Sequence, residues 1–328
     1  MSRERMLEVA VIGATGALGS ELVAVLSERD FPVGRLRPIA SDRSLGESVE
    51  LRGEEIAVEA ELASLDGVDL IFLCAPPDVS LDYAGRALRA RVPAIDLSGA
   101  LADQPDVNLL VGDWLESAAE PARPLVAGPG GATLALALVL APLERAAGLR
   151  RVVATTFEAA TVAGRQGVEE LSEESIALFS QQPVSDDSAA FDCRPALQPP
   201  GADGSTLHET RVVAGLQRLL GRELDVALTS VRVPTFSGDG LSVWIETERP
   251  LGPQELRAAL EKAPGVHVWP EPAGPSTRAS VERDVVLVGR LRAAGGGLGL
   301  WLSADGLHLA ARNAVLLAEA RPFARLVS

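Results

Sequence analysis

Lysine is almost missing from this chain of 328 residues: Lys262 is the only one, and every other basic side chain among the 30 Lys and Arg is arginine. Mechanisms that need a lysine amine therefore have almost nowhere to sit. Tyrosine is as scarce, with Tyr83 alone, and it stands far from Lys262 in the sequence. That removes the tyrosine–lysine pair, one helical turn apart, on which a short-chain dehydrogenase would rely. Two cysteines, Cys74 and Cys193, are too few for a disulfide framework and are expected to be reduced thiols. Neither has the flanking His and Cys spacing of a metal site, and no metal is expected. The three histidines, His208, His267 and His308, are scattered and expected on the surface or on helices rather than as ligands. No apolar run is long enough to span a membrane. The net charge is −15, and no basic cluster is longer than residues 149–151, which argues against a nucleic-acid groove or an anionic membrane surface. Small molecules and other proteins remain as partners. Residues 1–5 are polar and run straight into a short apolar strand, unlike a secretion signal, so a cytoplasmic location is expected.

With 47% hydrophobic and 23% charged residues, the chain can fill one or two full cores, and two domains are the default expectation. Residues 7–12 alternate, are rich in Val and Ile and read as a strand. Gly13-Ala14-Thr15-Gly16-Ala17-Leu18-Gly19 interrupts it, and Leu22, Val23, Val25 and Leu26 then recur at helical spacing. A strand over 68–73, a helix over 80–89 and a strand over 92–96 continue the alternation, which predicts a parallel, doubly wound sheet. Residues 121–131 read as turns, 133–146 as an Ala/Leu helix and 151–156 as a strand, and the domain change is placed there. The second half predicts helices near 168–179, 206–220 and 253–263. It predicts strands at 226–233, 241–247, 285–292 and 299–303. This pattern suggests a mixed sheet with one helical face. Residues 181–205 form a long polar, proline-rich connection, and a last helix near 307–320 closes the chain.

Gly13, Gly16 and Gly19 follow the first strand and open the first helix, in a βαβ context. A dinucleotide pyrophosphate needs this close backbone approach and the free N–H groups of a helix N-terminus, supplied here by Thr15 to Gly19. After the second strand comes Ser41-Asp42-Arg43-Ser44. Arg43 among serines suits a 2′-phosphate and favours NADP, while Asp42 leaves NAD open.

Gly13 to Gly19, the loop from Ser41 to Gly46, Ile95-Asp96-Leu97-Ser98-Gly99, Ser230-Val231-Arg232-Val233-Pro234-Thr235-Phe236, Val288-Gly289-Arg290 and Asn313-Ala314-Val315 stand in a fixed order. In that order the chain resembles the aspartate-semialdehyde dehydrogenases over nearly its whole length. The resemblance implies an α/β protein with a Rossmann-like dinucleotide-binding domain over 1–130, to which a C-terminal helix at 307–328 returns. An α+β catalytic and dimerisation domain with a mixed sheet is implied over 131–306. It also implies NADP as cofactor, a homodimer, a small carboxylate ligand held by Arg232 with Glu209 and Arg211 nearby, and Cys74 and Asn313 near the cofactor.

The catalytic residues of that family do not carry over. The nucleophilic cysteine falls on Gly131 in Gly128-Pro129-Gly130-Gly131, the general base histidine on Asp239, the active-site glutamine on Glu158, and a phosphate-binding arginine on Ala102. Phosphorylating oxidation of an aldehyde needs a thiolate, a base, a hydride acceptor and a phosphate site, so four altered parts imply that the parental activity is lost. Cys74 reads as a small core residue rather than a replacement thiol. The pattern is similar to the Usg-type paralogues, which also lack the cysteine. Two functions follow from it. One is a cofactor-binding homologue with a regulatory or scaffold role. The other is an oxidoreductase acting on a small carboxylate-bearing aldehyde or oxo acid without a cysteine, with Arg232 as anchor and Asp239 or Glu158 as proton donor.

Overall fold

The computed structural model describes residues 5–117, 124–195 and 198–320. The chain divides into two units, Met1–Gly130 with Ala310–Ser328, and Gly131–Leu309.

In the first unit β1 (Leu7–Ile12) is buried from Val9 onward on both faces, as a central parallel strand must be. Helix α1 (Ala17–Glu28) lays Leu22, Val23, Val25 and Leu26 on the sheet. It leads to β2 (Val33–Ile39), and the short antiparallel pair β3 (Ser48–Leu51) and β4 (Glu54–Ala57) follows. Arg52 and Gly53 both take positive φ in its two-residue turn, which suits the twist of a hairpin. Strand β5 (Leu70–Leu73), helix α2 (Pro77–Ala90) and β6 (Ala94–Asp96) come next. The unit's sheet is completed by β7 (Asn108–Leu109) and β8 (Leu125–Ala127). All neighbours in the sheet are parallel, in the order β2-β1-β5-β6-β8-β7. Strand order reverses at β1, so the crevice at its carboxyl end is where an open α/β sheet takes its ligand. Strand β8 corrects the expectation of turns over 121–131. Leu125, Val126 and Ala127 are buried apolar residues between Pro124 and Gly128, long enough only for a short inner strand. Residues 118–123 lie outside the described ones.

The second unit opens with α3 (Gly131–Ala147), buried almost continuously from Thr133 to Leu143. There follow β9 (Leu149–Glu158), α4 (Gly164–Phe179), β10 (Arg194–Pro195) and α5 (Leu207–Leu220). Then come β11 (Asp225–Arg232), β12 (Asp239–Thr247), α6 (Pro253–Leu260) and β13 (Val266–Val268). The unit ends with β14 (Val286–Ala294) and β15 (Gly297–Ala304). The sheet is mixed, in the order β10-β11-β9-β12-β15-β14-β13. Along β9 the residues Val152, Ala154, Thr156 and Glu158 are buried, while Arg151 and Val153 are exposed. Helices α3, α5 and α6 therefore cover one face, and on the other the turn Thr277–Ser280 lies against β12 and β15 while Val153 stays exposed. Within 181–205, expected as an unbroken connection, β10 pairs antiparallel with the edge of β11; residues 196–197 lie outside the described ones.

Helix α7 (Gly306–Glu319) starts in the second unit and, from Ala310, belongs to the first. Ala311, Ala314, Val315, Leu317 and Ala318 are part of the core that also holds Val9, Val11 and Phe72. Residues 321–328 of the predicted helix lie outside the described ones.

Candidate functional site

The glycine loop lies at the carboxyl end of β1. Gly13 has φ +88°, and a Cβ there would stand 2.7 Å from the backbone N of Ala75. A Cβ at Gly19 would overlap the carbonyl of Gly13, so the helix packs against the loop only because both positions are bare. Gly16 is different, since its ordinary φ of −71° and open surroundings leave space for another group to approach. It starts α1 with no side-chain cap, so the first N–H groups, those of Ala17, Leu18 and Gly19 among them, are left for an anion. Thr15 Oγ1 lies 3.0 Å from Ser44 Oγ, tying this loop to the single turn Asp42–Ser44 after β2. Ser44 is buried there, while Ser41 and Arg43 are exposed. The residues present thus fit a dinucleotide pyrophosphate, and Arg43 stands exposed on the neighbouring turn.

Two residues expected near the cofactor, Cys74 and Asn313, have well-defined surroundings in the first unit. Cys74 ends β5 half-buried, and burial, then the Asp96 carboxylate, push its thiol well above the usual range. It is no thiolate nucleophile at neutral pH. Asn313 is fully buried, its Oδ1 accepting from Gly112 N at 2.7 Å and its Nδ2 donating to Leu110 O at 3.2 Å. Its amide fastens α7 to the segment after β7.

In the second unit Gly131, Gly306 and Asp239 meet. A Cβ at Gly131 would overlap the backbone of Gly306, and a Cβ at Gly306 would stand 2.6 Å from Asp239 Oδ2. Asp239 is buried at the start of β12, accepts from Ala159 N at 2.9 Å and also takes the N–H of Gly306. Burial pushes its carboxyl up to about 7, opposed by those two N–H donors and assisted by the Glu158 and Asp305 charges.

Beside it Glu158, at the end of β9, is buried; its Oε1 accepts from Thr156 Oγ1 at 2.6 Å and lies 2.9 Å from His208 Nε2. Thr156 Oγ1 is 3.1 Å from Ser230 Oγ on β11. Glu209 Oε1 accepts from Ser230 N at 2.8 Å, and its Oε2 accepts from Thr206 N at 2.8 Å, closing a capping box at the start of α5. Burial works against the Glu209 anion, but those donors and the His208 charge hold it below the usual carboxylate range. Glu209 is thus committed to the backbone of its own surroundings. Arg211 lies exposed on α5. Arg232, directly opposite Glu158 in the parallel pairing, is 3.8 Å from Glu170 Oε2, and its buried Nη2 makes no hydrogen bond.

The fold therefore brings Gly131, Asp239, Glu158, Glu209 and Arg232 into the second unit and gathers Gly13 to Gly19 with Ser41, Arg43 and Ser44 in the first. His208 was expected on the surface or on a helix rather than as a ligand. It is on a helix, but its imidazole turns inward to Glu158. The signal was the capping box Thr206-Leu207-His208-Glu209, which fixes the helix start and so puts His208 in its first turn. Among the described residues no helix is long and apolar enough to cross a membrane, and no cluster of His, Cys, Asp or Glu could hold a metal ion.

Residues 8–122 match the family model described as semialdehyde dehydrogenase, NAD binding domain, and residues 140–308 match semialdehyde dehydrogenase, dimerisation domain. The chain belongs to the semialdehyde dehydrogenase family. A USG-1 protein homolog of Azotobacter vinelandii is 34% identical, with 95% of this chain and 97% of that protein covered. The aspartate-semialdehyde dehydrogenase of Aquifex aeolicus is 33% identical, with 95% and 96% covered. Among solved structures, aspartate semialdehyde dehydrogenase II from Vibrio cholerae complexed with ASA superposes with a TM-score of 0.91 at 30% identity, covering 98% of this chain and 99% of that one. The Rossmann-like parallel sheet and the mixed sheet are those of this family.

Asp239 makes stability depend on pH in a stated direction. Its folded-state value lies above the ordinary carboxyl value, so the native state holds the extra proton and stability falls as pH rises from about 4 to about 7. Asp239→Asn keeps one acceptor oxygen and removes the titration. Urea unfolding of the wild type should lose up to about 4 kcal/mol across that window, and the variant should follow a flatter profile. Parallel profiles would contradict the assignment.

Proposed function

We propose that this chain binds NADP in its first unit and a small carboxylate ligand in its second, and does not carry out the phosphorylating oxidation of aspartate semialdehyde. The observation that carries this reading is the contact of Gly131 with Gly306. The position matching the family's nucleophile has no side chain and no room for one. Asp239, at the position of the base, is committed to two backbone N–H groups and is half neutral near pH 7. Ala102 brings no charge to the phosphate position. A regulatory or scaffold role within the family suits such a site.

NADP is favoured over NAD by Arg43, exposed beside Ser41 and Ser44 on a turn held to the glycine loop through Thr15. Bound there, the cofactor would accept or donate a hydride. The protein's own residues supply the pyrophosphate cradle, Gly13 to Gly19, and the charge for a 2′-phosphate.

A second reading, an oxidoreductase acting on a small carboxylate-bearing aldehyde or oxo acid without a thiol, is favoured by the buried, unbonded Nη2 of Arg232. That nitrogen is a donor with an acceptor still to find. Asp239 is a poor proton donor in it, being tied to Ala159 and Gly306.

A homodimer through the second unit is supported by the match to a dimerisation domain and by the open face of the mixed sheet, where Val153 is 38% exposed. A cytoplasmic location agrees with two cysteines outside any disulfide.

Three measurements test these readings. Phosphate-dependent reduction of NADP with aspartate semialdehyde should be undetectable for the wild type and for Gly131→Cys. The triple variant with Asp239→His and Ala102→Arg should show traces at most, because a missing nucleophile costs roughly 10⁶-fold and the parts act as a unit. Wild-type turnover near ~1 s⁻¹ would refute the reading. Calorimetry should find NADPH bound more tightly than NADH, with Arg43→Ala costing about 1.5–3 kcal/mol for NADPH alone; equal affinities would reject the 2′-phosphate role. Light scattering should return a dimer at micromolar concentration, and a monomer would rule out the homodimer.

A further inference from the structure

His208 is the one histidine placed to exchange a proton beside Arg232. Its Nε2 faces Glu158 Oε1 at 2.9 Å, and Glu158 sits directly opposite Arg232 across the β9–β11 pairing. Paired residues of neighbouring strands share a face and stand about 4.8 Å apart. Thr156 and Ser230, two residues earlier on each strand, touch through their hydroxyls on that same face. The carboxylate that His208 meets and the side chain of Arg232 thus share one side of the sheet.

Both have donors to spare. Among the described residues Nδ1 of His208 has no hydrogen-bond partner, and the side chain is 24% exposed, so one ring nitrogen is inside and the other is within reach of a ligand. Arg232 Nη2 is buried without an acceptor, Glu170 being 3.8 Å away. A guanidinium with an unfilled N–H and an imidazolium with a free Nδ1–H suit a molecule that carries a carboxylate next to a second acceptor oxygen.

We propose that His208 donates a hydrogen bond from Nδ1 to the carbonyl oxygen of a small oxo acid whose carboxylate rests on Arg232, and that its proton is taken up as that ligand binds. This rests on the reading of Arg232 as a carboxylate anchor and adds a proton-bearing partner on a different element from position 239.

The charged groups that act on the imidazole are Glu158 from β9, Glu209 beside it on α5 and Asp239 from β12. Burial opposes the imidazolium, but the hydrogen bond and charge of Glu158, with the charges of Glu209 and Asp239, outweigh it and leave His208 above its ordinary value. Glu158 fixes which nitrogen faces outward: in the imidazolium, Nε2–H is spent on the carboxylate and Nδ1–H remains. The ligand binds best to the protonated form, so affinity is full below the midpoint of His208 and declines as pH rises through it.

The test is a proton-linkage measurement with two unreactive probes, oxamate, which carries a carboxylate and an adjacent carbonyl, and acetate, which carries the carboxylate alone. With three histidines in the chain, the imidazole signals can be followed by NMR through a pH titration. His208→Gln assigns the signal. Should that variant not fold, Glu158→Gln assigns it instead, because the loss of the charge lowers the midpoint of its neighbour alone. Saturating oxamate is expected to raise the His208 midpoint by about one unit, equivalent to about tenfold tighter binding to the protonated form, with acetate leaving it in place. Arg232→Gln should weaken both probes. Oxamate binding that depends on Arg232 but leaves the His208 midpoint unmoved would overturn this inference and spare the anchor. Absence of Arg232-dependent binding of either probe would overturn both.

Discussion

One carboxylate holds three pieces of the second unit together. Asp239 starts β12, takes the N–H of Ala159 just past β9, and takes the N–H of Gly306 where α7 begins. Two buried backbone donors without a partner would each cost on the order of 1–3 kcal/mol, so the side chain is fixed by what surrounds it. Its own burial makes the charge expensive, and the negative neighbours Glu158 and Asp305 add to that. The arrangement tolerates the expense because the acceptor is needed at that point, whichever protonation state supplies it.

The same point of contact decides what chemistry is open to the site. In the function proposed above, the family's thiol would have to project from the start of α3, and here the backbone of Gly306 lies where its Cβ would go. In that reading the obstacle is steric as well as chemical, since the start of α3 and the start of α7 lie against each other. Around that closed point the polar groups are still present and well satisfied: Glu158 by Thr156 and His208, Glu209 by Thr206 and Ser230. A network this complete rigidifies its surroundings, and Arg232, opposite Glu158 on the neighbouring strand, keeps an unused donor.

The fold class and the family were legible because their signals are local. The Gly13 to Gly19 loop after β1 forces a strand, a tight turn and a helix, and the burial of Leu22, Val23, Val25 and Leu26 follows from 3.6-residue spacing. Strand β8 was not legible, because three apolar residues between a proline and a glycine carry no periodicity and become a strand only through their neighbours β6 and β7. The order β10-β11-β9-β12-β15-β14-β13 likewise depends on pairings far apart in the chain. At the site, Gly131 and Asp239 stood out as departures from a pattern, whereas His208 did not, since its partner is Glu158, 50 residues away. Cys74 and Asn313 were expected near the cofactor, but their surroundings, an acidic neighbour for one and two backbone partners for the other, exist only in three dimensions.

Helix α7 gives the first unit an unusual history. Five of its residues, from Ala311 to Ala318, fill the same core as Val9, Val11 and Phe72. A ribosome reading from the N-terminus delivers the sheet first and these last, with the whole second unit in between. Until α7 emerges, the N-terminal sheet has apolar surface that α1 alone does not cover, and the first unit is completed only after the second has been made.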